Sequence, residues 1–187
     1  MNNITHIGLA PEKTPWAIRW QSIAQNRIWL MLLLAAGSAS SVVYPHPPLV
    51  AFGAIAGTTL TPQKALGATT VIWLVNQIFG YGLRQYPQTV ESLGWAIAMG
   101  IGALLITGFA SLRPQFSQAT FKGHCLWVLA IAVAGFVMFE GIILSLGFLL
   151  TGSHVFTWEV LGSLFTKEVI WTVALTGVYG AIARHSR

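Results

Sequence analysis

The sequence predicts an all-α polytopic membrane protein, six transmembrane helices with a preceding amphipathic interfacial helix. Three observations carry that reading. Hydrophobic residues make up 55% of the chain and charged residues only 8%, where a soluble domain carries about 25% charged residues to keep its surface in water. The apolar residues gather into long uncharged runs of membrane-crossing length. The lysines and arginines fall mostly between alternate runs, which is how cytoplasmic loops are marked.

Composition narrows the function classes. Aspartate is absent and all five acids are glutamate. A net charge of +5 would suggest nucleic acid in a polar protein. In a lipid-embedded chain, basic loops beside anionic headgroups explain it, so no nucleic-acid partner is expected. The single cysteine, Cys125, excludes an internal disulfide and any Cys-x-x-Cys motif. The first long apolar run begins at Ile28, with no small-residue cleavage site after it, so no cleavable signal is read. Residues 1–27 are expected to form a cytoplasmic segment with the interfacial helix, and residues 28–187 a single six-helix membrane domain.

Each element follows from local pattern. Thr14-Pro15 is a helix start, a threonine N-cap before a proline whose missing N–H does no harm. Trp16, Trp20 and Ile23 then share one helical face while Arg19 and Gln25 lie away from it. That face suits a helix at headgroup level, or an extension of the first span. Ile28–Tyr44 is a charge-free run long enough to span with some tilt. Pro45-His46-Pro47-Pro48 breaks it. Leu49–Thr61 covers only about 20 Å as a helix, against a hydrocarbon core of about 30 Å, so by length it is either a short span or a re-entrant segment. Ala65–Leu83, Ser92–Leu112 and Cys125–Leu150 are clear spans. Val169–Ala183, extended back through Leu164, is the last.

Charge asymmetry decides the short run. If Leu49–Thr61 crosses, Lys13, Arg19, Arg27, Lys64, Arg113, Lys122, Arg184 and Arg187 collect on one side, and only Arg84 and Lys167 on the other. If it does not cross, the ten cations divide evenly. The positive-inside bias therefore predicts six spans with both termini cytoplasmic, in what reads as a bacterial plasma membrane.

Several residues stand out chemically. Glu140 lies near the middle of the fifth span, where an ionisable group costs at least about 2.5 kcal/mol unless it is paired, neutral or facing a wet cavity. It is either a ligand or proton site, or a protonated group bonded to a neighbouring helix. Asn76 and Gln77 reach nearly the same depth in the third span, and Trp73 can share a face with either. These three could build a polar pocket with Glu140, or the amides could simply join helices. The loops opposite the cation-rich side hold His46, Arg84, Tyr86, His154, Phe156 and Trp158, the aromatic and directional groups a small-molecule site needs. An aromatic interface belt explains Tyr44, Tyr81, Trp95 and Trp171 without a ligand. Small residues recur at four-residue spacing, notably Ala35 with Ala39 and Gly53 with Gly57. Such pairs serve close packing within the bundle or docking of a separate membrane subunit.

Catalysis has no positive sign. Metal-ligand spacings, a histidine deep in a span for haem, a histidine beside a candidate serine nucleophile and Gly-rich phosphate loops are all missing from the sequence. No enzyme activity, cofactor or metal is expected.

Six spans in so short a chain, cytoplasmic ends, small-residue-rich early spans and aromatic outer loops resemble the substrate-binding S component of energy-coupling-factor vitamin transporters. Ala35-x-x-x-Ala39 is similar to that family's docking signature. The resemblance implies a vitamin-like micronutrient bound from the outer side, and docking onto a transmembrane coupling subunit driven by two ATPases. Glu140 is not something the resemblance implies. The expected function is a small-molecule binding subunit of an uptake transporter. Two alternatives stay open: a non-catalytic structural or assembly subunit of a larger membrane complex, and a small cation- or proton-coupled carrier using Glu140.

Overall fold

The computed structural model describes residues 14–151 and 157–185, and every regular element among them is helical. In chain order these are α1 (Pro15–Gln25), α2 (Arg27–Val43), α3 (Leu49–Thr59), α4 (Pro62–Ile78) ending in a π-helical turn (Phe79–Leu83), α5 (Val90–Ala110), the short α6 (Gln115–Ala119), α7 (Phe121–Thr151) and α8 (Trp158–His185). Among the described residues, α4 with its π turn, α5 and α7 are each long and apolar enough to cross a membrane, and α1 with α2 makes a fourth candidate if that bent pair is one span. The chain is an integral membrane protein on that ground. By itself α3 is too short, and α8 carries Lys167 and Glu168 in its first half.

The helix ends show which way each element runs. Lys64, at the start of α4, donates to the carbonyls of Ala24 and Gln25 at 3.3 and 3.1 Å, just before α2 begins. Arg84, just past the π turn, donates to the carbonyls of Ser41 and Val42 at 2.7 and 3.1 Å, where α2 ends. Helices α2 and α4 are therefore parallel, and α3 returns between them. Helix α5 runs against α4, joined by Trp73 Nε1 to the Ala96 carbonyl at 2.9 Å and by a hydroxyl pair, Thr69–Thr107, at 2.9 Å. Helix α7 runs against α5, with Trp127 Nε1 on the Ala110 carbonyl at 3.0 Å. Helix α8 runs back along α7, its Phe165 ring 5.1 Å from Phe136 and its Gly180 beside Phe121.

The bundle is built around α3, all eleven of whose residues are buried. A helix that is apolar on every side belongs inside a protein, and Leu49-Val-Ala-Phe-Gly-Ala-Ile-Ala-Gly-Thr-Thr has no polar face to turn outward. The two threonines are absorbed locally: Thr58 Oγ1 donates to the Ala54 carbonyl at 2.8 Å, and Thr59 Oγ1 accepts from Trp29 Nε1 at 2.9 Å. Gly53 faces Ala103 and Thr107, and Gly57 faces Ala110, so α3 lies along only the later half of α5. At 1.5 Å per residue it is about 16 Å long against about 31 Å for α5. The non-helical stretch Tyr44–Pro48 supplies the rest of the path from the end of α2. Its prolines lack the N–H groups a helix would need. The short apolar run is thus a half-length helix with a proline-rich lead-in.

At the Lys64 end α1 packs across the bundle. Helix α1 is a separate helix bent 65° from α2, and the Trp16–Trp20–Ile23 face meets protein rather than headgroups, leaving Arg19 and Gln25 exposed. Trp16 Nε1 donates to the Ser117 carbonyl at 3.2 Å and Trp20 Nε1 to the Thr58 carbonyl at 2.9 Å. The Arg113 guanidinium stacks 3.2 Å over the Trp20 ring. Burial lowers the Arg113 pKa to about 10, with the Tyr179 hydroxyl opposing, so it stays charged at neutral pH. Trp16, Trp29, Phe121, His124 and Tyr179 form one aromatic cluster beneath it.

The α3–α5 approach is testable. A methyl group at Gly57 would lie 2.5 Å from both the Ala110 Cβ and the Thr107 carbonyl oxygen, whereas one at Gly67 meets nothing within 4 Å. Gly57→Ala is expected to destabilise the protein by about 1–3 kcal/mol through overpacking. Gly67→Ala is expected to be neutral or slightly stabilising. Thermal unfolding in detergent distinguishes the two.

Candidate functional site

A half-length central helix leaves space beyond its start, and that space is a cavity of about 390 Å³. Four elements supply its walls. His46, Pro47 and Leu49 come from the lead-in and first residue of α3, and Trp95 and Met99 from α5. Phe139, Glu140 and Ile143 come from α7, and Val160, Leu164, Lys167 and Glu168 from α8. The spacings are helical: 95 and 99, 139 with 140 and 143, and 160, 164, 167 and 168 each mark one inward stripe.

Glu168 fixes the floor. The N-cap position of α3 is Pro48, which has no side-chain acceptor for the first-turn N–H groups. The Glu168 carboxylate takes that role from the other side of the bundle, accepting the Ala51 N–H at 2.8 Å through Oε2. A carboxylate suits this place because N–H groups and the helix dipole both converge there. Glu168 is 8% exposed.

Lys167, its neighbour in sequence, turns the other way. Its Nζ donates to the His46 carbonyl oxygen and lies 5.4 Å from the Tyr44 ring centroid, tying α8 to the lead-in. Its charge still acts on both Glu140 and Glu168. Glu140 is 9% exposed, and no hydrogen bond holds its carboxylate among the described residues. The imidazole of His46 stands at the rim. The residue is exposed, yet enough protein crowds the ring to keep its pKa below the usual value, with Lys167 and then Arg84 adding to the burial effect. His46 is therefore neutral at pH 7.

Of the residues singled out from sequence, Glu140 and His46 meet at this cavity. Trp73, Asn76 and Gln77 do not. Helix α4 packs on the Ala96–Gly100–Thr107 side of α5, whereas the cavity lies on the Trp95–Met99 side. Asn76 is buried with both amide atoms unpartnered among the described residues. The expected polar pocket joining the amides to Glu140 does not form, because equal depth on two helices does not put them on facing sides. Arg84 is occupied at the end of α2, and the Tyr86 ring fills the space above Gly80. Trp158 is 89% exposed at the start of α8, away from the cavity lining. His154 and Phe156 lie outside the described residues.

Gly53 and Gly57 are spent on the close approach of α3 to α5 inside the chain, which leaves no surface at them for a partner. Ala35 and Ala39 are exposed on the outer face of α2. Trp95, read as a belt residue, lines the cavity, and Trp171, read likewise, packs 5.2 Å from Phe52. The residue that the sequence reading passed over is Glu168. Its signal was indirect: a helix starting after Pro48 with no local cap needs an acceptor from elsewhere.

No protein-family model, no curated protein and no solved structure matches this chain.

The capping role predicts an ordered series. Glu168→Leu leaves the Ala51 N–H buried without an acceptor and is expected to cost about 1–3 kcal/mol of stability. Glu168→Gln keeps an amide oxygen at the same place and is expected to cost clearly less. Equal melting temperatures for the two variants would show that the cap contributes little.

Proposed function

We propose that this chain is a membrane-embedded small-molecule binding subunit of an uptake transporter, with the cavity beside Glu140 as its binding site. The cavity carries the proposal. Its volume lies within the range of about 300–1,000 Å³ usual for ligand sites. Its walls are mainly apolar and aromatic, with a few polar groups placed to orient a bound molecule.

The topology that goes with this reading is six crossings with both termini in the cytoplasm. In its favour, Lys64 is bonded to the last turn of α1, so the start of α4 and the N-terminal helix share one end of the bundle. That end also holds Arg19, Arg27, Arg113 and Lys122, and the positive-inside bias makes it cytoplasmic. The cavity belongs to the opposite half, on the side from which a nutrient would arrive. The sequence has no phosphate-binding loop, so coupling to ATP would come from partners. The exposed Ala35 and Ala39 on α2 offer a small-residue face for a transmembrane coupling subunit, in the manner of the S components that the sequence resembles.

Two experiments test the proposal. In a Cys125→Ser background, cysteines placed at Lys64 and Gln115 are expected to react with an impermeant reagent only from the cytoplasmic side, and one at Gln88 only from outside. Reaction of Lys64 and Gln88 positions from the same side would overturn the topology. Protein purified in mild detergent is expected to carry, or to take up from a nutrient extract, a small organic molecule seen by native mass spectrometry. Leu164→Trp fills the cavity and is expected to abolish that uptake while leaving the fold intact. Uptake unchanged by this substitution would remove the cavity from the proposal.

A further inference from the structure

We infer that the cavity takes an organic cation, a protonated amine or amidine on an apolar or aromatic body, whose charged group binds the Glu140 carboxylate. The inference rests on the cavity being a ligand site, and it names the chemical class of that ligand.

The cavity lining offers few polar groups, and they are unequally engaged. The lining holds two carboxylates, Glu140 and Glu168, one ammonium, Lys167, and the imidazole of His46, which is neutral at pH 7. The two acids are not in the same state of engagement. Glu168 is held by the Ala51 N–H at the start of α3, where the helix dipole offsets its charge. Lys167 is turned toward the lead-in, donating to the His46 carbonyl beside the Tyr44 ring. Glu140 is left 9% exposed, lining the cavity, with no hydrogen-bond donor reaching it among the described residues. Among the described residues this buried acid has no donor, and a charge-assisted bond from an ammonium or amidinium supplies the strongest one available.

The walls decide what carries the charge. Trp95, Phe139 and Met99 surround the space next to Glu140. Aromatic faces attract organic cations, and apolar walls take a hydrocarbon body. A bare metal ion is a poor match, because no group of three or more metal-ligating side chains occurs among the described residues. An anionic ligand would meet two carboxyl groups with only one ammonium in reach, and that ammonium already donates to the His46 carbonyl. The geometry selects an amphipathic cation.

The test uses the whole protein in detergent or nanodiscs and a panel of several hundred aryl- and alkyl-primary amines. Each amine is paired with its N-acetyl derivative and its carboxylic-acid counterpart, and binding is read by thermal shift and tryptophan quenching. Amines are expected to bind at least about tenfold more tightly than their neutral and acidic partners. Glu140→Gln is expected to erase that preference while keeping a native melting temperature in the absence of ligand. If Glu140→Gln folds poorly, Glu140→Asp retains the charge and is expected to retain the preference with altered affinity. Binding of neutral or acidic members as tight as that of amines, and lost in Leu164→Trp, would overturn this inference while leaving the cavity a ligand site. No binding by any class, with folding verified, would overturn both.

Discussion

The architecture depends on one contact made across 117 residues of sequence: the Glu168 carboxylate closing the start of α3. A wholly buried helix must have its first-turn N–H groups satisfied from within the protein, since neither water nor lipid can reach them. Pro48 cannot do this, and α3 begins partway along the length of its neighbours rather than at the bundle's end. The acceptor therefore has to come from another helix, and α8 brings it. Once α3 is anchored there, Gly53 and Gly57 fix its distance from α5, and the remaining helices wrap around a core that no membrane span of ordinary length could have formed.

The same arrangement makes the two ends of the bundle physically different. At the Lys64 end, tryptophan N–H groups bonded to carbonyls and the Arg113–Trp20 stack tie α1 to the rest of the bundle. At the other end α3 is missing, replaced by a thin proline-rich strand of chain that fills less volume than a helix would. Longer helices on either side leave their facing side chains around a gap. Acidic groups collect at the gap because the start of α3 needs one of them, and Glu140 stands near enough to share the Lys167 field.

Sequence reasoning located the helices well where apolar runs were long, since each run must satisfy its own backbone bonds in lipid. It also identified the Thr14 cap, whose side chain accepts the Ala17 N–H at 3.2 Å, and grouped Trp16, Trp20 and Ile23 on one face of α1, but it assigned that face to the headgroups where the structure packs it against protein. It placed Glu140 and His46 among the candidates because a charge inside an apolar run and a histidine among prolines are visible as anomalies. It could not find Glu168. That residue follows a lysine near the edge of an apolar run and reads as an ordinary span-end acid until the helix before it is known to extend from Trp158. Asn76 and Gln77 were misplaced for the complementary reason: depth along a helix can be counted from sequence, but the side on which two helices touch cannot.

Composition, run length and charge distribution by themselves determined that this is a helical membrane protein, because lipid allows few ways to satisfy a backbone and few places to put a charge. They also determined that Leu49–Thr61 was anomalous, too short to be an ordinary span. Only the tertiary structure decided what that anomaly is for. A helix of half length can be buried at the centre only if others enclose it, and whether they do depends on packing between residues far apart in the chain. The cavity, its floor at Glu168 and the placing of Glu140 in its wall all follow from that enclosure, which no local pattern encodes.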